Sequence, residues 1–546
     1  MSDESANVMI VGAGPVGLST ALFLTHQGVR PILVERRSGL SAIPRATGLH
    51  ARTMELFRTV GLEWQILEVG MELVSPGMEI EKVKAGRATP LIMLGASSLA
   101  ELDKALVMES HDVPYYDFTP SWPVWCGQDH YEPILLNAAR SHGADVRFST
   151  EFVSLEQDND GVRAVVEDRQ TGQRHIIRAH YLVAADGAHS CVRKALGIGH
   201  RSHGVAGHFV SIIFRAKIDI LEAMPDFTFV YLLNPKVQGI VLVIEPNRWM
   251  FGVNYYPERG QSPSDFTAER CVELVRIAAG VPDLDVEVES VAPWEAKHMV
   301  ADRYRAGRVF LAGDACHTHP PAGGFGVNAG IQDAHNLAWK LSAVMRGWAD
   351  TSLLDTYDVE RRPVGAATAD QAWMLFRTRG RLAEEDHAAH RDFVVVAMGY
   401  HYTSNAVVGP DTSPELMPRK LEFTGRPGSR APHGWLERNG ERVSTIDLFN
   451  GALVLLASTE GSSWLEAGRR LADEFGMPLR CYRIGPSGDL VDNNGWWPAA
   501  CGLSSRGALL VRPDGFVAWR SRETSPDVNE TLVEVLGRVL GRALVR

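Results

Sequence analysis

The sequence predicts an α/β protein with a parallel sheet at its centre, an antiparallel sheet inserted into it, and a separate α/β unit at the C-terminus. Three observations predict this. The apolar run Val8–Val11 leads into Gly12-Ala-Gly14-Pro15-Val-Gly17 and then a helical stretch, Leu18–Leu24. A second apolar run, Val309–Leu311, leads into another glycine-rich loop and helix. Between them, residues 200–300 carry alternating β-branched and aromatic runs of the kind that form strands.

The first unit is a strand, a tight glycine turn, a helix and a second strand, Pro31–Val34, that ends in Glu35. This is the Rossmann-like arrangement for a dinucleotide. Gly12 allows the turn, Gly14 lets backbone N–H groups approach a pyrophosphate, and Gly17 lets helix and strand pack closely. The helix N-terminus offers unpaired donors and the positive end of its dipole. Glu35 accepts from both ribose hydroxyls, which favours an adenosine without a 2′-phosphate. The motif alone does not choose between dinucleotides.

Composition narrows the class. The chain has 546 residues, 45% hydrophobic and 22% charged, as in ordinary globular proteins. Its net charge of −11 argues against a nucleic-acid surface. No apolar run reaches the ~18 residues of a membrane span. The start, Met1–Asn7, is short and acidic and unlike a signal peptide. Six scattered cysteines without Cys-x-x-Cys fit free thiols in a reducing, cytoplasmic setting.

Along the chain, residues 7 to about 75 hold the first unit, and a weakly periodic stretch runs from about 76 to 124. Glu132–Ser141 predicts a helix. Val146–Thr150, Val162–Glu167 and His175–His180 predict strands of a small sheet, and Tyr181–Gly187 a buried strand ending in a turn. Phe209–Phe214, Phe227–Tyr231, Ile240–Ile244 and Trp249–Tyr256 predict the inserted antiparallel sheet. Residues 351 to about 405 predict polar-faced helix. Gly425–Gly434 reads as a linker, and an α/β unit follows with a hairpin turning at Pro513-Asp-Gly515.

Two further motifs carry chemistry. Asp186-Gly187 follows a buried strand and reads as a β-turn or a nucleotide contact. Gly313-Asp314 ends a strand and runs into Pro320-Pro321-Ala-Gly-Gly324-Phe-Gly326-Val327-Asn328 and a helix. A carboxylate there can hold ribityl hydroxyls, and the glycines let backbone approach a flat ligand. The helix N-terminus can place N–H donors on a flavin C2=O, where charge collects on reduction. The plainer reading is a capped glycine loop.

In this order the three motifs resemble the single-component FAD-dependent aromatic hydroxylases, similar to p-hydroxybenzoate and phenol hydroxylases. Within them the chain most resembles the polyketide hydroxylases of antibiotic biosynthesis, over almost its whole length. The resemblance implies an FAD-binding Rossmann-like (GR2) domain of residues 1–75, 125–200 and 301–405. It implies an antiparallel β-sheet substrate domain of 76–124 and 201–300, and a thioredoxin-like domain of 425–546 without redox cysteines. It implies that Gly12, Gly14, Pro15 and Gly17 take the FAD pyrophosphate, and that Glu35 takes the adenosine ribose, with Arg36 nearby. Arg45 would lie near the flavin and phosphates, and Gln128 at the ribityl-phosphate region. Asp186 would serve both FAD and NAD(P)H, and Asp314 the ribityl chain. Pro321, Gly324, Gly326, Val327 and Asn328 would face the isoalloxazine. The implied reaction consumes O2 and NAD(P)H, NADPH favoured, and hydroxylates an electron-rich ring through a flavin C4a-hydroperoxide. The histidine-rich Cys316-His317-Thr-His319 departs from the smaller residues of related enzymes.

The substrate would be a small aromatic, a phenol or a polycyclic polyketide. Phe227, Phe229, Tyr231, Trp249, Phe251 and Tyr255 are candidate walls, or else the core face of the sheet. His208, Tyr231 and His317 are candidate bases, as is the substrate itself, and no choice among them follows. Asp314, His317, His319 and His335 as a metal site is disfavoured, because a zinc site needs three or four convergent ligands. A flavin halogenase would want Trp-x-Trp-x-Ile-Pro, and no Trp-x-Trp occurs. Another quinone- or Baeyer–Villiger-type oxygenase and a non-enzymatic flavin-binding scaffold are the remaining alternatives. A membrane anchor would have only Val533–Leu544 to use, so no membrane partner is expected. A homo-oligomer is compatible with the sequence.

Overall fold

The computed structural model describes residues 3–74, 91–111, 113–218, 227–378, 384–412 and 415–544. The helices that matter below are α1 (Pro15–His26), α2 (Ala51–Thr59), α3 (Gln128–Ser141), α4 (Ala268–Ala279), α5 (Phe325–Met345), α6 (Asp355–Thr378) and α7 (Val528–Leu540).

The first sheet has a parallel core. In space its strands run Val309–Leu311, Arg174–Ala184, Asp3–Val11, Pro31–Val34 and Asp145–Arg147. Thr150–Gln157 and Val162–Asp168 extend it antiparallel through Arg174–Ala184. The two strands predicted at 175–180 and 181–187 are one strand. Its first half pairs with Val162–Asp168 on one edge, while residues 176–184 lie beside Asp3–Val11. Helices α1 and α5 cover one face. Both are buried nearly all round; α1 is largely apolar, while the polar residues of α5, among them Gln332, Asp333 and Lys340, are buried on partners inside the protein.

Among the described residues the second sheet has eight strands. It contains the four predicted strands, the long strand Glu287–Ala301, the short strand His317–Thr318, and Leu91–Ala96 and Leu106–His111. It is not wholly antiparallel: Phe227–Leu233 and Leu91–Ala96 run parallel. The stretch 200–300 also contains a helix the strand reading missed. In α4, Thr267 caps the first turn and Gly280 (φ 75°) ends the last, while Cys271, Leu274 and Val275 face the sheet. They pack on Val210, Ile212, Phe214, Trp249, Phe251 and Val253. The opposite sheet face carries Ile213, Leu242 and Ile244, joined by Trp125, Phe229 and Met250.

The C-terminal unit is a four-stranded mixed sheet, with Leu479–Arg483 parallel to Leu453–Ala457 and the other pairs antiparallel. Helix α7 is part of its core. Leu532, Val535, Leu536, Val539 and Leu540 are all buried, so its apolar stripe has an occupant inside the protein. Among the described residues no helix is long and apolar enough to cross a membrane.

The stretch predicted as a linker is not one in the solvent-exposed sense. Residues 427–433 are all buried. Arg430 forks onto Glu55 of α2, and both side chains are fully buried. Arg512 reaches from the C-terminal unit to Glu360 of α6 at 2.5 Å, again fully buried. These pairs join the C-terminal unit to the helices behind the first sheet. The six cysteines are all free.

Candidate functional site

The motifs meet at one edge of the first sheet, the carboxyl ends of its parallel strands. Gly12 has φ 104°, and a Cβ there would strike the Ala185 backbone. Gly17 lies so close to Gly12 that a side chain would overlap its carbonyl oxygen. Gly14 is the opposite case: a Cβ there meets nothing within 4 Å. It faces open space in front of the α1 N-terminus, which has Pro15 in its first turn, no side-chain cap and no acid. The N–H groups of that turn are left for a ligand.

Glu35 is fixed at the end of its strand. The Ala13 N–H donates to one carboxylate oxygen at 2.9 Å and the Arg37 N–H to the other at 2.9 Å. Each oxygen keeps a lone pair for another donor. Arg36 is exposed beside it. Asp186 accepts from the Val192 N–H at 3.1 Å through one oxygen, while the other is buried without a partner in the protein. A buried orphan acceptor at this edge is a position for an external donor.

Asp314 is the one exposed residue of the turn Gly313–His317. Desolvation by the surrounding protein raises its carboxyl above the ordinary range, against the pull of His317 and Arg45. Arg45 is exposed, and its nearby charges include Asp314 and Glu132. Gln128 begins α3 and donates to Glu132 at 2.7 Å. Glu132 is a residue the motif reading missed. It is buried, has one unpartnered oxygen, and is pushed up to about 7 by that burial. Its signal was present as a carboxylate one turn beyond Gln128.

The second uncapped helix is α5. Gly323 (φ 77°) and Gly324 (φ 62°) turn the chain into it, with no side-chain cap and no acid in its first turn. Pro321 and Gly324 are exposed, and Gly326 and Val327 half-buried, so this end opens to the cleft. Asn328 is different. It is buried, accepts from the His50 N–H and Thr53 hydroxyl, and donates to the Gly48 and Gly324 carbonyls. Its side chain binds loop to helix and is not free to face a ring system.

The base and wall candidates divide by sheet face. His317 is fully buried and holds Asp333 at 2.6 Å. His208 lies beside Tyr255 and near Glu295, on the α4 side of the sheet. Trp249, Phe251 and Tyr255 are buried in the core under α4. Side-chain alternation puts His208, Trp249, Phe251 and Tyr255 together on the α4 face of the sheet, and His317 lies inside the protein. Phe229 and Tyr231 lie on the other face, their rings 5.1 Å apart, with Trp125 6.3 Å from Phe229. The side chain of Phe227 lies outside the described residues. Of the four residues considered for a metal, His317 and His319 lie together, their rings 4.8 Å apart, and His335 lies elsewhere. His335 packs edge-on against Phe23 in the core, and His317 is committed to Asp333.

Two family models match the chain: an FAD-binding domain over residues 5–372, and the C-terminal part of aromatic-ring hydroxylases over 424–543. The chain belongs to the FAD-dependent aromatic-ring hydroxylases. It is 45% identical over 551 residues to tetracenomycin A2 monooxygenase-dioxygenase of Streptomyces glaucescens, covering 99% of this chain and 98% of that protein. It is 41% identical to 4-methyl-5-nitrocatechol 5-monooxygenase of a Burkholderia species, covering 99% and 98%. The structure of aklavinone-11 hydroxylase in a ternary complex with FAD and aklavinone aligns at TM-score 0.89 and 37% identity, covering 99% of this chain and all of that one. The chain is accordingly an FAD-dependent monooxygenase of aromatic rings, with the mixed α/β fold of that structure. The residues at the cleft fit the cofactor: two uncapped helix ends for its electron-rich groups, and three carboxylates for its hydroxyls.

Proposed function

We propose that this enzyme hydroxylates a phenolic polyketide-type ring, using O2 and NAD(P)H, NADPH favoured. The carrying observation is the arrangement of one cleft. Gly14 and Gly324 open two helix N-termini at the edge where Glu35, Asp186 and Asp314 lie, while Phe229 and Tyr231 line a sheet face turned toward the same domain.

In this reading the α1 N-terminus and Gly12–Gly17 hold the FAD pyrophosphate, and Glu35 the adenosine ribose, with Arg36 beside it. Arg45 and Gln128 lie along the phosphate and ribityl region, and Asp314 takes the ribityl hydroxyls. Asp186 offers its unpartnered oxygen to FAD or to the visiting nicotinamide nucleotide. The N–H groups of α5, with Pro321, Gly326 and Val327 around them, stabilise negative charge at the flavin carbonyl. Bound FAD supplies the redox chemistry, and the protein supplies orientation and exclusion of water. Phe229 and Tyr231 stack on and orient the substrate ring. Tyr231 is the base candidate left on the cleft side, and its hydroxyl polarises the substrate phenol.

The domain reading follows: FAD domain 1–75, 125–200 and 301–405; substrate domain 76–124 and 201–300; C-terminal domain 425–546. A thioredoxin-like ancestry for the last is supported by its mixed four-stranded sheet flanked by helices. Cytoplasmic location and homo-oligomerisation belong to the same proposal. A panel of mono- and polycyclic phenols tests it. Stimulated NADPH oxidation coupled to a hydroxylated product supports the reading. Stimulation without hydroxylated product for every compound contradicts it.

A further inference from the structure

The turn Gly313–His317 presents Asp314, and a single carboxylate holds both ends of that turn. Asp333 accepts from the Gly313 N–H at 3.1 Å and from His317 Nε2 at 2.6 Å through the same oxygen. Its other oxygen accepts from Arg361 Nε at 2.7 Å. Arg361 also donates to the Tyr402 hydroxyl and the Ala329 carbonyl, both at 3.1 Å. All three charged or titratable side chains are fully buried. Within the turn only Asp314 is exposed.

We propose that Asp333, with His317 and Arg361, is a positioning unit that sets Asp314 against the α5 N-terminus so that both meet one FAD molecule. This rests on the reading of Asp314 as the ribityl ligand. Asp333 sits on α5 itself, eight residues after its first residue, Phe325. The same rigid helix therefore carries the N–H donors for the flavin carbonyl and the anchor for the turn that bears Asp314. Ribityl chain and flavin ring are adjacent parts of one molecule, so the two contacts must stay in register. Space around the unit is already committed: a Cβ on Gly365 would press on the His317 ring at 2.9 Å. His317 continues into Thr318, which pairs with Met299 and ties the turn to the second sheet.

The test is FAD affinity, measured by fluorescence on titrating apoprotein. Losing a buried hydrogen bond to a charged group predicts that His317→Leu raises the FAD Kd by about tenfold. His317→Gln, which keeps an N–H donor, restores most of it. Asp333→Asn, which keeps the volume and loses an acceptor, shows a similar loss. In an Asp314→Ala background His317→Leu adds little, because it acts through Asp314. Wild-type Kd in folded His317→Leu and Asp333→Asn overturns the proposal. So does an equal loss with and without Asp314, which marks a general structural role. An Asp314→Ala protein with wild-type Kd overturns the ribityl reading beneath it.

Discussion

The carbonyl oxygen of Gly12 occupies the space that a Cβ on Gly17 would need. Gly14, between them, has nothing before it. Glycines of one motif therefore serve different ends, close packing at 17 and ligand approach at 14. Gly17→Ala should destabilise the apoprotein by about 1–3 kcal/mol through overpacking and lose FAD as well. Gly14→Ala should leave the apoprotein melting temperature unchanged and weaken FAD only. Melting curves of both apoproteins with FAD occupancy from visible absorbance check this. Equal melting temperatures for the two variants would falsify the division.

Glu35 is held by the Ala13 and Arg37 N–H groups at the end of its strand. Substituting it with Gln should weaken FAD far more than it alters NAD(P)H use. Steady-state kinetics with both nicotinamides, at saturating FAD, read the outcome. A switch of nicotinamide preference would assign Glu35 to the other nucleotide.

The two faces of the second sheet make opposite predictions. Tyr231→Phe should alter kcat or substrate KM while the melting temperature stays put. Phe251→Ala, in the core under α4, should cost about 3–5 kcal/mol of stability. Denaturant unfolding beside kinetics on each variant separates them. A stability loss at Tyr231 with unchanged kinetics would place that residue in the core.

Glu132 gives a pH dependence with a definite sign. Burial pushes its carboxyl up to about 7, above the ordinary value of 4.5. Between those values the folded apoprotein holds a proton that the unfolded chain has released. Stability therefore falls as pH rises through this window. Glu132→Gln should match wild type at pH 4 and exceed it by about 1–3 kcal/mol at pH 8. Urea midpoints of the two apoproteins across this range measure it, and parallel curves would refute the assignment.

What the sequence made legible was backbone demand. Gly12, Gly14, Gly17, Glu35, Asp186 and Asp314 each stand at the end of a strand or the start of a helix, where local spacing carries the message. Alternation told which aromatics share a face, but not which face meets the cleft. The sequence left Trp249, Phe251 and Tyr255 open between substrate wall and sheet core, and the packing of α4, a helix the strand reading missed, puts them in the core. His317 stayed an open candidate because its partner Asp333 is 16 residues on, in the next helix. Asn328 looked like a flavin contact, yet its partners at His50 and Thr53 are more than 270 residues away. Gly425–Gly434 had linker composition, but Arg430 meets Glu55, 375 residues earlier.

The central claim is that Asp314 and the two glycine-opened helix ends hold FAD in this cleft. Asp314→Ala, purified beside wild type and scanned for flavin absorbance, tests it most directly. The account predicts a folded protein, by circular dichroism, that has lost most of its FAD. A folded Asp314→Ala protein with full flavin occupancy would contradict it.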